Sequence, residues 1–181
     1  LYKMFHVLFG GLKGGLAIGT MFMMVAISAM NGLSVAGMAI GATIALPEML
    51  KRNYDKRMIT GVVQAGSSLG ILIPPSVVMV LYGMIARQPV SKLWMAGILP
   101  GLLMASLFLI YIYVRCKLQP ELGPPLRKSE RNYTTLEKIK LLKAGIIPFL
   151  IFFFMTGLFL MGIASLVECS AVGAFLATLA S

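Results

Sequence analysis

Hydroxyl and carbonyl oxygens are the groups with which this sequence could do chemistry. They gather in Gly66-Ser67-Ser68-Leu69-Gly70-Ile71-Leu72-Ile73-Pro74-Pro75-Ser76, inside a charge-free run from Met58 to Ala86. That run can cross a bilayer, for which about 20 apolar residues suffice. Its centre is made of helix breakers. Gly66 and Gly70 weaken a helix, and Pro74 and Pro75 remove backbone donors and clash with the preceding turn. A broken helix at membrane depth is tolerated only where protein or a water-filled cavity satisfies its polar groups. Freed carbonyls, half-helix ends and the hydroxyls of Ser67, Ser68 and Ser76 are therefore the parts of an ion or substrate site. The alternative is a proline-kinked helix without a ligand, since Pro and Gly are common in membrane helices. A second polar patch, Ser28-Ala29-Met30-Asn31-Gly32-Leu33-Ser34, lies in the charge-free run from Gly14 to Pro47.

Other chemistries lack their residues. His6 is the single histidine, and Cys116 and Cys169 stand far apart, so neither a disulfide framework nor a Cys/His metal site is indicated. The sequence holds no His–acid or Cys–His constellation, and no enzymatic activity is expected. Of the 181 residues, 59% are hydrophobic and 12% charged, with a mean hydropathy of +0.90. Soluble domains are about 25% charged. This composition predicts an all-α polytopic membrane protein. The net charge of +10 does not imply a nucleic-acid partner. The positive charges sit in short segments between apolar runs, which is a topology signal, and the aromatic–basic interleaving of a nucleic-acid surface is missing.

The elements that must position the oxygens follow from the charge-free runs. Residues 14–47 are too long for one ordinary crossing and short for two, and Asn31-Gly32 marks a turn at the centre. A re-entrant helical hairpin with the polar patch at its tip is expected. One long tilted helix, close-packed through Gly32, Ser34, Ala36 and Gly37, is the alternative. Residues 58–86 form the broken transmembrane helix and 93–114 a full crossing. Trp94 near one end of that crossing and Tyr111 and Tyr113 near the other are read as interfacial aromatics. Gly97, Pro100 and Gly101 are candidates for bending it. Residues 115–143 hold eight of the sixteen Lys and Arg and form a cytoplasmic connection, with a possible short amphipathic helix over 135–143. Residues 144–167 make a further crossing, and 168–181 begin the next helix. Glu168 is read as a helix N-terminal residue favoured by the dipole, with a functional intramembrane carboxylate as the alternative. Lys13, the 51–57 loop and 115–143 are predicted to be cytoplasmic, and 87–92 external. Leu1 is not an initiator Met, and the last residues end inside an apolar run, so a piece of a longer protein is expected.

With those residues in hand, the chain resembles the large membrane subunit of the tripartite ATP-independent periplasmic (TRAP) transporters, within the ion transporter superfamily. The resemblance is carried by Gly14-Gly15-Leu16-Ala17, by Ala45-Leu46-Pro47-Glu48-Met49 with Tyr54-Asp55, and by Gly66-Ser67-Ser68-Leu69-Gly70 running to Ile73-Pro74-Pro75-Ser76. Ala96-Gly97-Ile98-Leu99-Pro100-Gly101 and Glu168 to Ala174 continue it. The chain would cover about the first of two inverted repeats, each with a re-entrant hairpin and a broken helix.

The resemblance implies a multi-pass permease of the bacterial inner membrane that works with a small membrane subunit and a periplasmic binding protein. It implies sodium-coupled import of organic anions, among them C4-dicarboxylates, with Na⁺ as coupling ion and no other cofactor. On that reading Ser34, Gly66, Ser67 and Gly70 are the Na⁺ candidates. Ser28, Asn31, Gly32, Ser68, Pro74, Pro75 and Ser76 support the site. Two departures from the family pattern stand out. The tip usually reads Ser-Gly-x-Ser, and the later Gly-x-x-Thr-Pro-Thr-Glu motif has Ser165-Leu166-Val167 in place of Thr-Pro-Thr. A channel is the alternative function, because exposed carbonyls of broken helices also form selectivity filters.

Overall fold

The structure, a computed structural model, describes residues 9, 14–124, 146 and 150–180. The described residues are helical, joined by turns. The first element is α1, Gly15–Asn31. The second limb of the hairpin is built from α2, Ser34–Ile40, a wider turn over Gly41–Ala45 and α3, Leu46–Lys51. The interrupted helix follows as α4, Lys56–Ser68, a single tight turn over Leu69–Ile71, an irregular segment, and α5, Val77–Ala86. Then come α6, Val90–Leu118, α7, Leu150–Leu160, and α8, Leu166–Ala180.

The first limb carries no charge and only Thr20, Ser28 and Asn31 as polar side chains, the pattern of a helix enclosed by others. Leu16, Ala17, Ile18, Met21, Met23 and Met24 of α1 are all buried. By contrast α4 has two faces. Met58, Ile59, Val62, Val63 and Gly66 turn inward at helical spacing, while Lys56, Arg57, Thr60 and Gln64 are exposed. Asp55 starts this helix: its carboxylate accepts from the backbone N–H of Arg57 at 2.9 Å and of Met58 at 3.1 Å. Two of the α1–α3 hairpin's neighbours meet at its base. The Gly14 N–H donates to the Gly123 carbonyl at 3.0 Å, and the Asp55 N–H to the Leu122 carbonyl at 3.3 Å. The start of α1, the start of α4 and the chain just after α6 therefore share one end of the molecule.

Several boundaries differ from the expected ones. The second limb runs past Pro47 to Lys51. Pro47 offers no N–H to the carbonyl four residues before it, and the widened turn just ahead lets the Leu46 N–H reach the Gly41 carbonyl, five residues back. Pro100 does not interrupt α6, which runs 29 residues and is the one described helix long and apolar enough to cross a membrane. It starts before Leu93 and continues through Arg115 and Lys117. Long basic side chains keep their heads in water while the helix continues. The helix within 144–167 stops at Leu160, where Met161–Ser165 form a turn with Gly162 at φ 70°. Lys13 and the expected amphipathic helix over 135–143 lie outside the described residues.

Glu168 sits in the first turn of α8. Its carboxylate accepts from the Ser165 N–H at 2.7 Å and the Ser165 hydroxyl at 2.8 Å, and the Glu168 N–H faces that hydroxyl at 3.4 Å. This reciprocal Ser-x-x-Glu pairing is a capping box, which satisfies amide groups at a helix start.

Candidate functional site

The hairpin tip and the break in the second helix are joined directly. Gly32 ends α1 at φ 65°, a left-handed conformation that costs glycine little. Its N–H bonds the Ser28 carbonyl at 2.9 Å, and its own carbonyl accepts from the Val77 N–H at 3.2 Å. The first amide of α5 is thereby satisfied by the tip of the hairpin. A side chain at Gly32 would lie 2.7 Å from the Pro75 carbonyl, so the two backbones touch there.

One turn away, Gly70 lies on Ser28. A Cβ at Gly70 would stand 2.6 Å from both the Ser28 Cβ and the Ser28 carbonyl oxygen. Gly66 makes the same kind of approach to α1, where a Cβ would be 2.5 Å from the Cβ of Met24. Pro74 and Pro75 have no N–H to offer the carbonyls of Gly70 and Ile71, four residues before each. The break thus takes the helical donors from the Gly70 and Ile71 carbonyls, and it sets the Pro75 carbonyl against Gly32 of the hairpin tip.

The hydroxyls divide by environment. Ser67 is fully buried and its hydroxyl donates to the Val63 carbonyl at 2.6 Å, which leaves oxygen lone pairs in the interior. Ser68 is exposed and bonds its own helix through the Ala65 carbonyl at 2.8 Å. Ser76, also fully buried, caps α5 by accepting from the Met79 N–H at 3.3 Å. Half-buried Ser34, in the first turn of α2, makes no side-chain hydrogen bond among the described residues. Asn31 is exposed at the tip, its amide bonded to the Ile27 carbonyl at 2.8 Å.

Ser28 stands apart. It is fully buried, lies between Gly37 of α2 and Gly70 of the break, and its hydroxyl has no hydrogen-bond partner among the described residues. An unpaired hydroxyl costs about 1–3 kcal/mol in a protein interior. A cation held by oxygen would remove that cost, because the hydroxyl oxygen is an acceptor free for coordination.

Trp94 completes the arrangement from α6. It is 3% exposed, its indole N–H points to the Ser76 carbonyl at 3.3 Å, and its ring meets Phe159 edge-on with centroids 4.6 Å apart. The sequence offers no signal for this contact beyond the presence of a single Trp. A cavity of about 270 Å³ opens beside these groups, lined by Asn31, Ser76 and Trp94 and by Thr156 and Ser170 from α7 and α8. No motif covers Thr156, and Ser170 falls within the Glu168 to Ala174 match without a role of its own. Among the described residues no group of three His, Cys, Asp or Glu could hold a metal ion. The site is one of neutral oxygens.

The family model described as the DctM component of the tripartite ATP-independent periplasmic transporters matches residues 1–180. The chain is 38% identical over 105 residues to the C4-dicarboxylate TRAP transporter large permease protein DctM of Pseudomonas aeruginosa, covering 58% of this chain and 25% of that one. It is 37% identical over 106 residues to the ectoine/5-hydroxyectoine TRAP transporter large permease protein UehC of Ruegeria pomeroyi, with 58% and 24% covered. It is 36% identical over 104 residues to the isethionate TRAP transporter permease protein DctMQ of Oleidesulfovibrio alaskensis, with 58% and 16% covered. The chain spans about a quarter of the length of the curated large permeases it matches.

Proposed function

Since the chain belongs to the DctM component of the TRAP transporters, we propose that it forms part of the membrane permease of a sodium-coupled secondary transporter in the bacterial inner membrane. The cargo is an organic anion of the carboxylate type, delivered by a periplasmic binding protein, and a small membrane subunit completes the permease. No bond is made or broken, and no residue is assigned a catalytic role. The relatives are named for different substrates, which supports leaving capture specificity to the binding protein.

The observation that carries the sodium reading is the buried, unpaired hydroxyl of Ser28, which faces Gly37 of α2 while the Cβ and carbonyl of the same residue pack on Gly70 of the break. Na⁺ is cargo here, and oxygen ligands from unwound backbone and hydroxyls suit it. Ser28 joins Ser34, Gly66, Ser67 and Gly70 as the proposed ligand set. The positive ends of the half-helices then favour the substrate's negative charge.

The test uses the full-length transporter with its partners in proteoliposomes. Ser28→Ala is expected to raise the sodium concentration for half-maximal uptake about tenfold, the effect of losing about 1.4 kcal/mol of ion binding. Melting temperature gives a second readout. Sodium should raise it in the unmodified protein by mass action and raise it less in Ser28→Ala. In sodium-free buffer the variant should be no less stable than the parent, since it removes an unpaired group. If Ser28→Ala, Ser34→Ala and Ser67→Ala all keep the parent's sodium dependence, the ion is held elsewhere.

The hairpin is proposed to be re-entrant. About 25 Å of helix, at 1.5 Å per residue, takes α1 from the shared end to the break, short of a full crossing of about 30 Å of hydrocarbon plus headgroups. Single cysteines at Lys13, Lys56 and Lys117 are expected to react with a membrane-impermeant maleimide only from the cytoplasmic side, and one at Gln88 only from outside. Labelling of Lys13 from the periplasm alone would replace the hairpin with a simple crossing.

A further inference from the structure

A second, larger cavity of about 800 Å³ lies at the opposite end of α4 from the break. Its walls are Arg57, Gly61 and Ala65 of α4 and Leu107, Tyr111 and Arg115 of α6. The two helices run antiparallel here, so both arginines stand at the same mouth. From Arg57 to Ala65, and from Arg115 to Leu107, is eight residues, about 12 Å along each helix. One end is therefore cationic and the depth is apolar. Asp55 also lines the mouth, its Oδ1 accepting from the first amides of α4, so the two arginines and this carboxylate leave the mouth with one net positive charge. Neither Arg57 nor Arg115 has an ion-pair or hydrogen-bond partner for its guanidinium among the described residues.

We propose that this cavity is a binding site for an anionic phospholipid, its headgroup phosphate on Arg57 and Arg115 and an acyl chain lying over Gly61 and Ala65. The charge at the mouth selects the sign of the head. Guanidinium groups favour phosphate, with which they form paired hydrogen bonds. The apolar depth distinguishes a lipid from a small soluble anion, which has nothing to place there. Tyr111 lies between the two zones, where an aromatic with one polar end is favoured at a membrane interface. This inference rests on α6 crossing a bilayer and not on the sodium chemistry, so the two stand or fall separately.

Gly61 supplies a clean probe. A Cβ added there would meet nothing within 4 Å, so Gly61→Phe starts its side chain in open space on the cavity wall, and glycine in a helix interior is itself unfavourable. The experiment is native mass spectrometry of the full-length transporter with its small subunit, titrated separately with phosphatidylglycerol and phosphatidylcholine. Phosphatidylglycerol is expected to bind more tightly than phosphatidylcholine. The Arg57→Gln/Arg115→Gln double variant should lose about thirtyfold in phosphatidylglycerol affinity, the effect of two basic residues near a membrane surface. Gly61→Phe should weaken phosphatidylglycerol at least tenfold while its melting temperature stays at or above the parent's. Equal binding of the two lipids, or an unchanged affinity in the double variant, would overturn the proposal. So would a Gly61→Phe protein that melts several degrees lower and still binds phosphatidylglycerol, because another segment of the full-length protein would then fill the cavity.

Discussion

Gly70→Ala is expected to reduce uptake by the full-length transporter about a hundredfold, whereas Gly61→Ala, earlier in the chain within α4, should leave it unchanged. The two substitutions add the same methyl group. At Gly61 it enters open space and gains the ordinary preference of alanine over glycine in a helix, about 1 kcal/mol. At Gly70 it meets the Cβ, the carbonyl carbon and the carbonyl oxygen of Ser28, all within 2.7 Å. Two of those three atoms are backbone, so no rotamer change relieves the collision. Either the hairpin tip or the break must move. Overpacking of this kind costs about 1–3 kcal/mol, and the upper end corresponds to roughly a hundredfold in an equilibrium. The displacement would also pull apart the Gly32 carbonyl and the Val77 amide, 3.2 Å apart in the native junction. Uptake rate and melting temperature, measured side by side in both variants, decide the matter. Gly70→Ala with native uptake and native melting would show that tip and break do not need their close contact.

The parts of this fold that were legible in the sequence are those set by backbone chemistry. Proline cannot donate and glycine weakens a helix, so Gly70, Pro74 and Pro75 fall in the interval between the helix end at Ser68 and its resumption at Val77, with Gly66 in the last turn before it. Asn31-Gly32 marks the place where α1 turns back. Such signals are local, and no neighbour is needed to read them. Helix limits are less legible, because charge marks where an apolar run ends and not where a helix does. Arg115 and Lys117 leave the apolar run but not the helix. Pro47 suggests an end, yet the preceding wide turn absorbs it.

The contacts of the site were not legible at all. That Ser28 meets Gly70, forty-two residues on, is a fact of packing between two helices. Sequence placed Ser28 in a polar patch with Asn31 and Ser34, but only the packing separates a fully buried, unpaired hydroxyl from an exposed neighbour. Gly97 makes the same point. As a helix residue it suggested a bend, and in the structure it admits the Leu72 carbonyl, which would lie 2.5 Å from a Cβ there.

Trp94→Ala is expected to destabilise the protein by about 3–5 kcal/mol, and Trp94→Phe by only about 1 kcal/mol. Two interactions hold this side chain, and their magnitudes differ. The hydrogen bond from the indole to the Ser76 carbonyl is 3.3 Å long, beyond the usual 2.9–3.0 Å mode. That carbonyl also accepts from the Val80 N–H at 3.2 Å, so removing the indole donor leaves it with a partner. The indole body is buried to 3% exposure against Phe159 and one wall of the site cavity. Its loss opens a void between the start of α5 and Phe159 of α7, and surrounding structure relaxes only partly into such a void. Packing therefore outweighs the hydrogen bond, and phenylalanine, which keeps most of the ring, should retain most of the stability. Because Trp94 sets the position of α6 against the start of α5, uptake should fall with stability in the alanine variant and remain near the parent's in the phenylalanine variant. Denaturant or thermal unfolding of the purified full-length transporter, with uptake measured on the same preparations, provides the comparison. Equal losses for Phe and Ala would reverse the ranking and make the Ser76 carbonyl, rather than the ring, the reason for a tryptophan here.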